Sequence, residues 1–120
     1  MKRNNRLTKS EQFRKVYMEG YTFKDRYLVL KALSNHMECN RFGFSVSKRI
    51  GKAVVRNRLK RILKEVVRTA ELQTGWDIVL IVRNPAAESD YYTLKKSLLK
   101  LLVRANIIGT QNENNCSEND

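Results

Sequence analysis

Between Ala53 and Glu71 the apolar residues Val55, Leu59, Ile62, Leu63, Val66 and Val67 recur at the i, i+4, i+7, i+8, i+11 spacing of one helix face. At about 100° per residue they fill one side of the wheel. Lys and Arg dominate the polar positions of Ser45–Arg68, with Glu65 the single acid. Arg56, Lys60, Lys64 and Arg68 recur every fourth residue and drift slowly around a neighbouring side. Asn57 and Arg61 lie among them, and Arg58 lies beyond Arg61, nearer the far edge. The rise between successive cations is roughly 6 Å, close to the phosphate spacing of an extended or A-form strand. A solvated amphipathic helix would interleave Glu with Lys to gain i,i+4 pairs, which this one does not.

The remaining pattern predicts helix, strands, helix, strand, helix. A first helix begins at Thr8, where Thr8-Lys9-Ser10-Glu11 fits a capping box. Phe13, Val16 and Tyr17 share its inner face, and Gly20 reads as a left-handed cap. Tyr21–Phe23 reads as a short edge strand and Tyr27–Leu33 as a longer one. The polar stretch Ser34–Asn40 reads as a hairpin connection to a return strand, Arg41–Lys48. There Phe42, Phe44 and Val46 alternate with Gly43, Ser45 and Ser47. The small residues on the second face imply that something approaches the sheet closely. Trp76–Arg83 is a continuous apolar run suited to a central strand covered on both faces. Asn84-Pro85 stops it. A last helix spans Asp90–Ala105, with Leu94, Leu98, Leu101, Leu102 and Ala105 inward and Lys95, Lys96, Lys100 and Arg104 outward. Residues 109–120 lack large apolar side chains and predict a disordered polar tail, leaving 1–108 as one domain. The fold class is an α/β (α+β) sandwich: one sheet of about four strands with three helices, in the order α-β-β-β-α-β-α.

Charge narrows the function. Lys and Arg number 24 against 12 acids, giving +12 and a pI near 10.1. Such a chain attracts polyanions, nucleic acid first. No run of 18 apolar residues exists, and no apolar signal core follows the basic start, so the expectation is a cytoplasmic protein away from membranes. Cys39 and Cys116 form no framework and read as reduced thiols. His36 and Cys39 alone cannot make a structural metal site, which needs four ligands. Serine-protease logic, a phosphate-binding glycine loop and a carboxylate cluster are all missing, so the expectation is no catalytic residue and no protein-bound metal. Asp77, Glu88 and Asp90 are the nearest acids; Asp77 opens a strand and Asp90 opens a helix, where an acid suits the dipole anyway.

The run Ser47-Lys-Arg-Ile-Gly-Lys-Ala-Val-Val-Arg-Asn-Arg-Leu-Lys-Arg61 resembles the signature of the protein subunit of bacterial ribonuclease P, whose hallmark is the Arg-Asn-Arg seen at 56–58. The likeness runs from about Asn5 through the last helix. It implies a left-handed βαβ crossover through the basic helix and a cleft between the first helix and the sheet. It also implies a division of labour. A catalytic RNA, using RNA-held Mg²⁺, hydrolyses one phosphodiester at the 5′ end of precursor tRNA. The protein, a monomer in the ribonucleoprotein, supports that RNA and holds the single-stranded 5′ leader. In that reading Lys48, Arg49, Lys52, Arg56, Asn57, Arg58, Lys60, Arg61, Lys64 and Arg68 face RNA, and Phe13, Tyr17 and Lys31 line the leader cleft. The family commonly has an aromatic residue at the position of Lys31, so a more electrostatic grip is implied. A ribosomal-protein-like RNA binder and a duplex-DNA binder remain as alternatives.

Overall fold

The computed structural model describes residues 6–108. The expected tail, Cys116 and the first five residues lie outside the described residues. The elements are α1 (Ser10–Glu19), β1 (Tyr21–Lys24), β2 (Leu28–Ser34), β3 (Arg41–Ser45), α2 (Ala53–Thr69), β4 (Trp76–Val82) and α3 (Tyr91–Arg104). Short 3-10 turns at Lys48–Ile50 and Asn84–Glu88 precede α2 and follow β4. The predicted order α-β-β-β-α-β-α holds.

The strands form one mixed sheet in the order β1-β2-β4-β3. β4 is central and buried, as its apolar run Ile78–Val82 requires. It pairs antiparallel with β2, Leu30 opposite Leu80, and parallel with β3, Phe44 opposite Leu80. This corrects the hairpin expected between β2 and β3. The two are separated by β4, and β3 is an edge strand. The connection through residues 35–40 is long enough to leave the β2 edge, and the hydrogen-bonding slot beside β2 goes to the more apolar β4. Parallel neighbours need a crossover, and α2 supplies it.

Alternation sorts the two faces. Leu28, Leu30, Ala32, Phe42, Ile78, Leu80 and Val82 join the inward residues of α2 and α3 in the main core. On the other face Leu7, Val16 and Val79 make a smaller cluster with Phe13, Leu33 and Ile81 against α1. The result is three layers: α1, the sheet, then α2 with α3.

Two details of α1 differ from expectation. Lys9, not Thr8, is the N-cap, and Gln12 rather than Glu11 reaches back. The Gln12 Oε1 accepts from the amides of Thr8 at 2.9 Å and Lys9 at 3.0 Å, satisfying two end donors with one neutral side chain. Gly20 is extended rather than left-handed. Its role is steric: a Cβ there would come within 2.6 Å of the Val16 carbonyl oxygen and 2.9 Å of that of Ala32.

Candidate nucleic-acid interface

The basic face is built from two consecutive elements. Ser47 Oγ accepts from the Arg49 amide at 3.1 Å and caps the turn Lys48–Ile50. Ile50 is buried, so Lys48 and Arg49 are carried outward beside it. In α2, Leu59, Ile62, Leu63, Val66 and Val67 are buried. The opposite side holds a shallow depression lined by Asn57, Lys60, Arg61, Lys64, Glu65 and Arg68.

The cations of this face are not equivalent. Arg58 donates to the carbonyls of Ser89 and Ala87 at 3.3 and 3.1 Å. Its guanidinium therefore ties α2 to the segment before α3, apart from the outward group. Arg56 Nε donates to the Gly51 carbonyl at 3.1 Å and closes the helix entry. Arg68 is paired with Glu65 at 2.8 Å, and that hydrogen bond holds the guanidinium pKa above its ordinary value. Lys64 Nζ lies 5.9 Å from the centre of the Phe44 ring, over the β3 edge. Lys48, Arg49, Lys52, Lys60 and Arg61 make no side-chain hydrogen bond or ion pair among the described residues. These five are ready to neutralise phosphates, and the arginines can do so with two parallel N–H bonds.

The second candidate surface lies on the α1 side of the sheet. Register places Thr22, Lys31, Val79 and Gly43 in one row across four strands. A Cβ on Gly43 would overlap the Phe13 ring, so this is the close approach that the small residues of β3 predict. Phe13 is half-buried on that glycine, whereas Tyr17, one turn on, is 40% exposed. Lys31 is on this face, as its apolar neighbours Leu30 and Ala32 require, and its Nζ donates to Thr22 Oγ1 at 2.9 Å. The next row, Lys24, Val29, Ile81 and Ser45, is half-exposed except for the exposed Lys24. Phe13, packed over Gly43, and Lys31 of the same row thus lie on the sheet face that α1 covers, and α1 leaves Tyr17 exposed.

Polar anchors outside the two surfaces support this geometry. Buried Asp77 receives Arg41 Nε at 2.8 Å, Arg41 Nη2 at 2.7 Å and Asn35 Nδ2 at 2.9 Å. The available signal was an acid inside an otherwise apolar strand. Asp25 receives the amides of Tyr27 and Leu28 and, at 2.6 Å, the hydroxyl of buried Ser97 from α3. Arg83 Nη1 donates to the Asp25 carbonyl at 2.6 Å, fixing the β1–β2 turn to the end of β4. Asp90 caps α3 by accepting from the Thr93 amide at 2.8 Å. Among the described residues no three His, Cys, Asp or Glu side chains are placed to hold a metal ion. No helix among them is long and apolar enough to cross a membrane.

Known proteins carry the same pattern. Residues 1–106 match the family model described as Ribonuclease P. The chain belongs to the ribonuclease P protein family. It is 43% identical over 120 residues, the whole of both chains, to the ribonuclease P protein component of Dehalococcoides mccartyi. Against that of Caldanaerobacter subterraneus it is 46% identical over 101 residues, covering 82% of this chain and 87% of the relative. The fold is similar to the ribonuclease P protein of Staphylococcus aureus (TM-score 0.81, 30% identity, 88% of this chain and 98% of that one). It is also similar to that of Thermotoga maritima (TM-score 0.77, 33% identity, 82% and 96%). RNA binding and precursor-tRNA processing are the role of the ribonuclease P protein family. Membership sets aside the ribosomal-protein-like and duplex-DNA alternatives.

Proposed function

We propose that this chain binds the catalytic RNA of ribonuclease P through the α2 face and holds the 5′ leader of precursor tRNA in the cleft beside α1, promoting endonucleolytic removal of the leader. The observation that carries the reading is the pair of surfaces on opposite sides of one sheet. The free cations Lys48, Arg49, Lys52, Lys60 and Arg61 suit a folded, phosphate-dense RNA. Tyr17, Phe13 and Lys31 on the α1 side of the sheet suit unpaired bases, because stacking tolerates any base and a lone cation adds a sequence-blind attraction. Such tolerance fits a substrate class whose leaders vary.

Hydrolysis belongs, in this reading, to the RNA and its Mg²⁺. A protein that held the ions itself would need clustered carboxylates to do so. Of the acids nearest to that role, Asp77 is tied to Arg41 and Asn35, and Asp90 caps α3. The protein acts as a monomer within the ribonucleoprotein, in the cytoplasm where tRNA precursors are made.

The test is Tyr17→Ala in the reconstituted holoenzyme. Affinity for leadered precursor tRNA should fall about five-fold or more, by loss of one stacking contact. Affinity for leaderless tRNA should be nearly unchanged. Equal losses on both substrates, with the melting temperature kept, would reject the cleft assignment.

A further inference from the structure

Helix α3 carries a second basic surface that the roles above leave unused. Its inner side is fixed by Leu94, Leu98, Leu101 and Leu102, all fully buried. Its outer side presents Tyr92, Lys96, Lys100 and Val103 at the i, i+4, i+8, i+11 spacing of a single stripe. Tyr92 is 75% and Val103 52% exposed, and both lysines are exposed. No acid occurs between Tyr91 and Arg104, and Lys96 and Lys100 have no ion-pair partner among the described residues. The nearby acids are otherwise engaged or at the helix entry. Asp25 accepts from Ser97, Asp90 caps the helix, and Glu88 lies in the preceding turn.

The aromatic residues at the top of the stripe are ordered by their neighbours. The Tyr91 and Tyr92 rings meet edge to face, 5.3 Å between centres at 87°. Lys95 Nζ sits 5.8 Å from the Tyr91 ring centre. This leaves Tyr92 with an exposed ring face, one turn from Lys96. An ordered ring beside a row of cations about 6 Å apart is the arrangement that stacks an unpaired base and follows its phosphates.

This stripe and the basic face of α2 are carried by different helices of one layer. Lys64 of α2 stands over Phe44 of β3, one edge of the sheet. On α3, Ser97 and Arg104 reach the β1–β2 turn at the other edge, Arg104 Nη1 donating to the Lys24 carbonyl at 3.3 Å. The two helices thus lie toward opposite edges of the sheet, α2 toward β3 and α3 toward β1.

We propose that the outer face of α3, formed by Tyr92, Lys96 and Lys100 with Lys95 at its margin, is a second RNA-binding surface. It takes a single-stranded phosphodiester segment other than the one held on α2, stacking one base on Tyr92. This rests on the reading that the chain is an RNA-binding subunit. It adds that the subunit bridges two RNA segments, one on each helix of this layer.

The test uses the full chain in two titrations over a salt series: protein onto the catalytic RNA, and precursor tRNA onto the reconstituted holoenzyme. In one of the two, Lys96→Ala with Lys100→Ala should lower the slope of log affinity against log salt by about 1.4, at 0.7 per phosphate of a single strand. In the same titration Tyr92→Ala should weaken binding about five-fold or more with the slope kept. All three side chains are exposed, so melting temperatures at neutral pH should fall only slightly, by the loss of the Lys100 charge near Asp25. Lys60→Ala with Arg61→Ala, run alongside, tests the α2 reading independently. A normal slope drop for that control, with both titrations unchanged for the α3 variants, would overturn the proposal. So would unchanged RNA slopes accompanied by lost binding to phosphatidylglycerol vesicles, which would make the stripe a membrane surface.

Discussion

The guanidinium of Arg58 bonds the main-chain carbonyl of Ser89, 31 residues away, and that of Ala87 beside it. The second arginine of the Arg-Asn-Arg run therefore binds its own chain. It joins the start of α2 to the segment leading into α3, and that segment packs against the turn bearing Lys48 and Arg49. Arg58→Ala should destabilise the fold by roughly 1.5–3 kcal/mol, the range for hydrogen bonds that involve a charged group. It should leave the salt slope of RNA association unchanged. Arg61→Ala should do the reverse, lowering the slope by about 0.7–0.9 with no change in denaturation midpoint. Urea titrations beside salt-dependent binding separate the two; a lower slope for Arg58→Ala would show that it meets phosphate after all.

Phe13 and Tyr17 have the right spacing for a pair of stacking rings, yet they differ in burial. Phe13 packs on Gly43 within the small core that holds Leu7, Val16 and Val79. Phe13→Ala should therefore cost roughly 2–4 kcal/mol through an unfilled cavity, in addition to any effect on the leader. Gly43→Val should displace the same ring and destabilise by about 1–3 kcal/mol. Thermal unfolding of both variants checks this; an unaltered Phe13→Ala would mean that the ring carries no packing role.

Asp77 is the most deeply placed acid of the described residues, with its partners Arg41 and Asn35 held over the α1 side of the sheet. Arg41→Met should cost roughly 3 kcal/mol, because the buried carboxylate loses its cation. Asp77→Asn with Arg41→Met should recover part of that loss. Denaturation of the single and double variants measures the coupling, and additive losses would argue against a buried pair.

Acid should loosen the β1–β2 turn. Burial pushes the Asp25 carboxyl up, but the hydroxyl of Ser97, the amides of Leu28 and Tyr27 and the charge of Lys100 outweigh it, leaving the folded value below the ordinary 3.8. The contribution is thus fully present above pH 3.8 and is lost as pH falls through the lower folded value. Asp90, held down by Thr93, acts in the same direction. Ser97→Ala should weaken the acid dependence between pH 5 and 2, read from melting temperature against pH; an identical profile would remove Asp25 from the account.

Much of this was legible in the chain because periodicity reports burial directly. The inward residues of α2 and α3, the central place of β4 and the close approach at Gly43 all follow from spacing and side-chain size. Partner choice is different. Alternation in β3 shows which residues face the core, but a residue pattern carries no record of whether β2 or β4 lies alongside. The same holds for Arg41 and Asp77, which are 36 positions apart and meet only once β3 and β4 are parallel. For Arg58 the helical wheel places the Cα but not the long side chain, which folds back onto carbonyls whose position depends on the turn after β4. Gln12 took the place of Glu11 at the helix entry for a local reason, a shift of one residue that lies within the ordinary uncertainty of helix boundaries.

Promotion of leader removal is read from cleavage of a precursor tRNA by the catalytic RNA, by this chain, and by both together, at low Mg²⁺. The chain alone should cleave nothing, and the mixture should release the 5′ leader faster than the RNA alone. The gain should shrink for a precursor whose leader is removed to a single nucleotide. Metal-dependent cleavage by the RNA-free chain, or a gain independent of leader length, would contradict the account.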